Sequence, residues 1–154
     1  MKDSWANDAS ETIQLNRWPG AYLVLAMFYT SCRAICPMTV GRMKLIEKKI
    51  ERGPAVQYIL FSIDPENDKP ETLKQFRRAQ GIERANWHLL RSTVEQSRKL
   101  AAALSVGFSD KPGNVELHQM HSRQLIVVSP EGDILLASQS EDEVVKILKN
   151  HKPR

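Results

Sequence analysis

The sequence predicts an α/β domain whose central mixed sheet carries helices on both faces. Two observations support this class. Apolar runs of strand length alternate with segments whose apolar residues recur every three or four positions, and the last two apolar runs are separated only by a turn. The 154 residues, 42% of them hydrophobic, suffice for one domain with a substantial core. We therefore expect an N-terminal segment over residues 1–20 and a single domain over residues 21–150.

The first half of the domain is predicted to contain two strand–helix units. Residues 21–30 are an apolar run typical of a buried strand, and residues 37–52 have the periodicity of an amphipathic helix. Residues 56–63 form a second buried strand, followed by a helix over residues 70–80 with Gly81 as its C-terminal cap. The apolar face of the first helix is Val40, Met43, Ile46 and Ile50.

The third unit ends in a long loop. Residues 87–91 are predicted to be a short strand, and Ser92 with Glu95 three positions later provides a capping box for a helix that ends near Ser105. Residues 107–120 have no sustained period and include two glycines and a proline, which is typical of a loop.

The C-terminal part is predicted to be a hairpin followed by a helix. Residues 122–128 and 134–138 are the strands, and the turn between them contains Pro130 and Gly132. A second capping box at Ser140 begins a helix that ends near residue 150. The resulting element order, β-α-β-α-β-α-β-β-α, is that of a thioredoxin-like fold with a parallel and an antiparallel part to its sheet.

Charge and apolar content argue against nucleic-acid binding and against a membrane-spanning segment. The net charge is +4, but the basic residues are scattered over helix faces rather than interleaved with aromatics in a stripe, so we expect no nucleic-acid binding. The longest apolar stretch, residues 22–29, is far shorter than the ~20 residues of a membrane span. Residues 1–17 lack the apolar core of a signal peptide, so we expect either a cytosolic protein or the soluble part of a longer precursor.

The two cysteines indicate the chemistry. Cys32 and Cys36 lie between the first predicted strand and the first predicted helix. A helix N-terminus favours the thiolate over the thiol, and Arg33 between the cysteines acts in the same direction. Two such thiolates can exchange with a partner disulfide or bind a soft metal ion such as Cu(I) or zinc. A purely structural disulfide would constrain little chain across so short a loop.

A third metal ligand is available where the long loop enters the hairpin. His118 and His121 lie there, and in the inferred fold that junction is close to the cysteine loop, at the edge where open α/β sheets place their sites. His88 falls within a predicted strand and His151 near the C-terminus, so both are weaker candidates. On the residues alone, two ordinary loop histidines remain the alternative.

Four segments in order resemble the Sco/SenC family of copper-binding proteins with a thioredoxin fold. Residues 29–37, Tyr-Thr-Ser-Cys-x-x-x-Cys-Pro, resemble the family's metal loop, and residues 62–71 resemble its acidic, proline-containing segment. His121-Ser122 resembles its distal histidine motif, and residues 125–132 resemble the strand and turn that follow. Any one match would be weak, whereas the ordered set is specific.

The resemblance implies a copper site formed by Cys32, Cys36 and His121. It also implies delivery of copper to the binuclear copper centre of cytochrome c oxidase, with the copper-binding subunit of the oxidase or another copper or thiol protein as the partner. Family members usually act in the periplasm, on the outer face of the inner membrane, or in the mitochondrial intermembrane space. They do so behind an N-terminal membrane anchor, which this chain does not show.

Two departures from the family pattern define the alternative function. Arg33 replaces a frequent proline, and its positive charge favours thiolate chemistry over binding of a cation. Met120 replaces a common aspartate and offers a soft thioether, so that His118 or Met120 could join an altered site. The alternative to a metallochaperone is therefore a thiol–disulfide oxidoreductase. In it, Cys32 and Cys36 are the redox-active pair and act on cysteines of the oxidase subunit or on other extracytoplasmic cysteines.

The acidic segment after the second strand holds two aspartates near prolines. Asp64 and Asp68 are candidates for positioning the metal loop, but aspartate beside proline is typical of a turn. We expect both residues to serve the turn.

Overall fold

The fold is built on a seven-stranded mixed sheet, in the order β2-β1-β5-β4-β3-β6-β7. The structure, a computed structural model, describes residues 4–31, 35–103 and 124–154, with Ile35, Cys36 and Ala101 described by their backbone only. The strands in these ranges are β1 (Trp5–Asn7), β2 (Thr12–Ile13), β3 (Tyr22–Phe28), β4 (Val56–Ser62), β5 (Trp87–Arg91), β6 (Leu125–Val128) and β7 (Ile134–Ser138). The helices are α1 (Ile35–Lys49), α2 (Pro70–Ala79), α3 (Val94–Ala103) and α4 (Glu141–Asn150).

The sheet has the predicted parallel and antiparallel parts. β3, β4 and β5 are parallel, whereas β6 runs antiparallel to β3 and β7 antiparallel to β6. All seven residues of β3 are buried, because side chains on both faces of this central strand are covered by other elements. The α/β class with a mixed sheet is thereby confirmed.

Two apolar layers cover the two faces of the sheet. One layer joins alternate residues of β3 and β4 to α1, α2 and α4, and it contains the predicted α1 face from Val40 to Ile50. The other layer lies under α3 and the N-terminal strands, and it contains Trp5, Ile13 and Leu100. Helices on both faces were predicted, and this is the arrangement observed.

The first twenty residues contribute two strands that the sequence pattern did not predict. β1 pairs antiparallel with β5, and Trp5 packs its ring against Phe61, with 4.7 Å between ring centroids. Asp8 accepts two hydrogen bonds from the Arg77 guanidinium of α2, at 2.8 and 2.9 Å. Strands of three and two residues are too short to show a readable alternation, which explains why they were not predicted.

The helix termini agree with the capping signals except at one end. Ser140 caps α4 by accepting a hydrogen bond from the Glu143 N–H, as predicted. For α3 the predicted cap is wrong by one residue, because the Thr93 hydroxyl accepts the bond from Gln96 while Ser92 donates to a backbone carbonyl of the N-terminal segment. The longest described helix, α1, has 15 residues, and no described helix is long and apolar enough to cross a bilayer.

His88 on β5 is held as part of the sheet. Its Nε2 lies 2.7 Å from the Gln57 Oε1 on β4, and its ring packs against Trp18 with 4.4 Å between ring centroids. Burial lowers the pKa of His88 to about 4, and the nearby positive charges of Arg77 and Arg17 act in the same direction. The imidazole is therefore neutral at neutral pH.

We predict that the contribution of His88 to the free energy of unfolding decreases as the pH falls. Its folded-state pKa lies below the ordinary value of about 6.5, so the unfolded chain takes up the proton first. The stabilisation is complete above about pH 6.5 and is lost as the pH falls toward 4.

A His88→Gln variant lacks this pH dependence. Between pH 7.5 and 4.5, wild type should lose about 1–2 kcal/mol more unfolding free energy than the variant, since solvent screens part of the effect at this half-buried ring. Urea denaturation at both pH values measures the difference, and parallel losses in the two proteins would contradict the prediction.

Candidate functional site

The predicted site residues lie at the edges of the described ranges. Cys36 is the second residue of α1 and is described by its backbone only. Cys32, His118 and His121 lie outside the described residues, as do Arg33 and Met120. Among the described side chains, no group of three His, Cys, Asp or Glu residues is arranged to hold a metal ion. The described part of the site therefore consists of β3, α1 and β6, which flank the cysteine and histidine segments in the chain. We call these three elements the frame.

The frame brings the ends of both segments to one edge of the sheet. β3 leads through Tyr29 and Thr30 into the cysteine segment, and α1 begins on the other side of that segment. β6 runs antiparallel to β3 with Ile126 opposite Leu25, so the N-terminal end of β6 lies at the same edge as the C-terminal end of β3. The histidine segment precedes β6 in the chain. This is the edge at which open α/β sheets bind ligands.

The first turn of α1 favours a thiolate. It includes Cys36 and contains no acidic residue, so the unsatisfied N–H groups of the helix N-terminus are not neutralised by a carboxylate of that turn. Packing against the sheet holds the helix firmly, because Val40 and Met43 in its next turns are fully buried. The backbone of this first turn therefore presents a partial positive charge on a rigid support.

A buried carboxylate anchors the start of the cysteine segment. Asp68 is 1% exposed, and its two oxygens lie 3.2 and 3.3 Å from the Thr30 backbone N–H donor. The Thr30 hydroxyl also donates to Asp68, in a short bond. The Ser62 hydroxyl donates to the second carboxylate oxygen at 2.6 Å. One side chain thus joins the end of β3, the end of β4 and the segment that leads into α2.

Ser62 extends this network to the opposite face of the sheet. Its carbonyl accepts a hydrogen bond from the Ser97 hydroxyl of α3 at 3.0 Å, and its own hydroxyl accepts one from the Asp64 N–H at 3.1 Å. Ser62 and Ser97 are both fully buried. Since buried hydroxyls are costly unless they are paired, these bonds hold the end of β4 in one arrangement.

The two aspartates of the acidic segment have different roles. The Asp64 carbonyl accepts the N–H groups of Asn67 and Asp68, and its carboxylate accepts the Asn67 amide at 2.9 Å. Asp64 is therefore the turn residue that was predicted. For Asp68 the predicted turn role covers only its backbone N–H, because its side chain is directed to Thr30 and Ser62.

The carboxyl group of Asp68 is surrounded by hydrogen-bond donors rather than by a cation. Burial raises the pKa of Asp68, and the bonds from Ser62 and Thr30 oppose that rise. None of the ion pairs within the described ranges involves Asp68. Donors directed at a carboxylate favour its ionised form.

The two described histidines have partners away from this edge. His151 follows α4, and its Nδ1 lies 2.8 Å from the Tyr22 hydroxyl, at the start of β3. His88 is bound within the sheet to Gln57, as described above. Both were weaker candidates on sequence grounds, and both are engaged in packing and hydrogen bonding of the fold.

The comparisons with known proteins agree on one family. A family model described as SCO1/SenC matches residues 4–152. The SCO1 protein homolog of Bacillus subtilis is 28% identical over 133 residues, which cover 86% of this chain and 69% of that protein. A protein of Stutzerimonas stutzeri to which copper binding is ascribed is 28% identical over 120 residues, covering 75% of this chain. The chain spans 56% of that second relative's length.

Solved structures share the fold over nearly the whole chain. A SCO1/SenC family lipoprotein from Bacillus anthracis has a TM-score of 0.79 at 22% identity, covering 95% of this chain and 90% of its own. BsSco, in a structure that identifies a disulfide switch, has a TM-score of 0.76 at 25% identity, covering 95% and 88%. Yeast Sco1 with copper bound has a TM-score of 0.77 at 20% identity, covering 97% and 88%. The likenesses to the lipoprotein and to yeast Sco1 show the thioredoxin-like fold.

Proposed function

The chain belongs to the SCO1/SenC family, and on that premise we propose that it is a copper-binding metallochaperone. Its cargo is copper, held by Cys32, Cys36 and His121. Two thiolates and one imidazole suit Cu(I), which prefers soft ligands and low coordination numbers. Such a site stays open enough to pass the ion to another protein.

One observation carries this proposal. The described ends of the cysteine segment and of the histidine segment lie at the same edge of the sheet, beside the N-terminus of α1. This placement supports one site built from residues that are more than 80 positions apart in the chain. Copper in the solved structure of yeast Sco1, and copper binding ascribed to the Stutzerimonas relative, support the same cargo.

We propose the binuclear copper site of cytochrome c oxidase as the destination of the copper. The partner is then the copper-binding subunit of the oxidase, and the protein acts outside the cytoplasm, in the periplasm or at the outer face of the inner membrane. Support comes from the family, which includes a lipoprotein and BsSco, a member of the Sco family of cytochrome c oxidase assembly proteins.

The surface beside Cys36 suits contact with a protein partner. Met38, two residues further along α1, is 64% exposed, and Leu45 on the same side of the helix is 50% exposed. Between them, a Cβ added to Gly41 would meet no atom within 4 Å. A partner that takes an ion from Cys36 has to contact the first turn of α1, so Met38 lies in its path.

A thiol–disulfide oxidoreductase is the second candidate, favoured by the cysteine pair at a helix N-terminus and by the disulfide switch reported for BsSco. One thiolate would attack a partner disulfide, and the other cysteine would displace the partner from the mixed disulfide. Two electrons pass to the partner, which leaves as a dithiol, and a Cys32–Cys36 disulfide remains.

We predict that the three proposed ligands contribute unequally to copper affinity. Cys32→Ser and Cys36→Ser should each lower Cu(I) affinity by about 100-fold or more, because a hydroxyl is a hard and weak ligand for this ion. His121→Ala should lower it by about 10- to 100-fold. Competition with a chromogenic Cu(I) chelator on anaerobically reduced protein measures the affinities. His88→Ala is the matched control, since that ring is bound within the sheet. Unchanged affinity in His121→Ala would remove the histidine from the site.

We predict that a charge at Met38 slows copper transfer without weakening copper binding. Met38→Glu places a carboxylate on the path of the partner and should slow transfer to the purified copper-binding domain of the oxidase subunit several-fold. Ile134→Glu is the control, because Ile134 is 51% exposed but lies on β7, opposite Val128 and away from the cysteine edge. Stopped-flow transfer kinetics distinguish the two variants, and equal rates in both would contradict the prediction. If instead the wild type reduces a disulfide of that domain and transfers no copper, the oxidoreductase is the function.

A further inference from the structure

We propose that Asp68 is a positioning residue that holds the cysteine pair in its working arrangement by fixing Thr30. For copper the inference rests on the proposed function, whereas for thiol reactivity it stands alone. The carboxylate receives both hydrogen-bond donors of Thr30, the backbone N–H and the side-chain hydroxyl. A residue held by two donors on one buried carboxylate has little freedom to rotate.

The anchor is close to the reactive segment. Thr30 precedes Cys32 by two residues, which span at most about 7 Å of extended chain. On the other side, Cys36 begins α1, whose buried face is packed against the sheet. The described residues on both sides of the cysteine segment, Thr30 and the helix α1, are therefore rigid parts of the fold. Rigid residues on both sides lower the entropy lost when two sulfurs are brought to one ion or to each other.

Asp68 is not used to cap the helix that follows it. The N-cap position of α2 is Lys69, and no side-chain bond caps that helix. The carboxylate turns back instead to Thr30 on the β3 side and Ser62 on the β4 side, with the Ser97 hydroxyl supporting Ser62 from α3. The bonds of Asp68 thus serve the edge of the sheet that carries the cysteines.

The carboxylate cannot be replaced by its amide. An asparagine of the same shape has one oxygen acceptor, and its NH₂ group would face either the Thr30 or the Ser62 donor. One buried donor would then lose its partner, and the local negative charge would be removed as well. Within the described ranges Asp68 forms no ion pair, so its side chain is paired by hydrogen bonds alone.

The test combines variants on both sides of the bond with a stability control. Asp68→Asn removes the charge and one acceptor oxygen, and Thr30→Val removes the hydroxyl bond while it keeps the backbone N–H bond. Thr30→Ser retains the hydroxyl and should behave like wild type. Asp8→Asn is the matched control, because it also neutralises an aspartate that binds a neighbouring element, here Arg77 of α2, but it does not touch the cysteine edge. All variants are compared under conditions in which far-UV circular dichroism shows them folded.

Two readouts are measured on reduced protein. The first is the rate of cysteine alkylation by iodoacetamide at fixed pH, which should rise several-fold in Asp68→Asn and Thr30→Val because the segment loosens and a nearby negative charge is removed or released. The second is Cu(I) affinity, which should fall by about 10- to 100-fold in both, the range typical of groups that orient metal ligands. In the double variant the effects should be less than additive, because the two changes act on the same contact.

The inference is overturned if Asp68→Asn is folded and matches wild type in both readouts, or if Asp8→Asn shifts them equally, which would make them effects of stability. Failure of the proposed function has a different signature. Wild-type protein that retains no copper would refute the metallochaperone, while the alkylation rates would still decide whether Asp68 positions the cysteines.

Discussion

The proposed site depends on the buried carboxylate of Asp68, which is paired by hydrogen bonds rather than by a cation. Asp68 lies at the point where two parallel strands end, and the hydroxyls of Thr30 and Ser62 together with one backbone N–H supply its hydrogen bonds. Leaving such a group unpaired would cost about 1–3 kcal/mol or more, so the ends of β3 and β4 are confined to the arrangement that pairs it. Thr30, two residues before Cys32, is thereby fixed.

The strand topology alone brings the described ends of the cysteine and histidine segments to the same edge of the sheet. Parallel strands β3 and β4 end there, and antiparallel β6 begins there, so the described residues next to the cysteine and histidine segments lie at one edge. The N-terminus of α1 adds a partial positive charge at Cys36, which favours a thiolate. Under the proposed function, this partial charge favours the thiolates that bind copper, and Asp68 fixes Thr30 at the start of their segment.

The sequence correctly predicted features that depend on residues close together in the chain. The periodicity of α1, the turn at Gly132 and the cap at Ser140 depend on neighbours within a few residues, and each was predicted correctly. The capping error at α3 has a local cause too, since Ser92 and Thr93 both fit the pattern with a Glu or Gln three positions later. Asp68 was named from the sequence as a candidate for positioning the metal loop, but the turn role was preferred. Its partner Thr30 is 38 residues away, and no sequence period signals such a contact. An aspartate that follows a predicted strand was the available signal.

The central claim is that two sulfurs and one imidazole nitrogen hold copper at the edge of the sheet where β3 ends. X-ray absorption spectroscopy of the reduced protein loaded with one equivalent of Cu(I) tests it most directly, because the spectrum counts sulfur and nitrogen ligands of the bound ion. The account predicts two sulfur ligands and one nitrogen, with the nitrogen lost in His121→Ala. Coordination by sulfur alone, or the same nitrogen contribution in His121→Ala as in wild type, would contradict it.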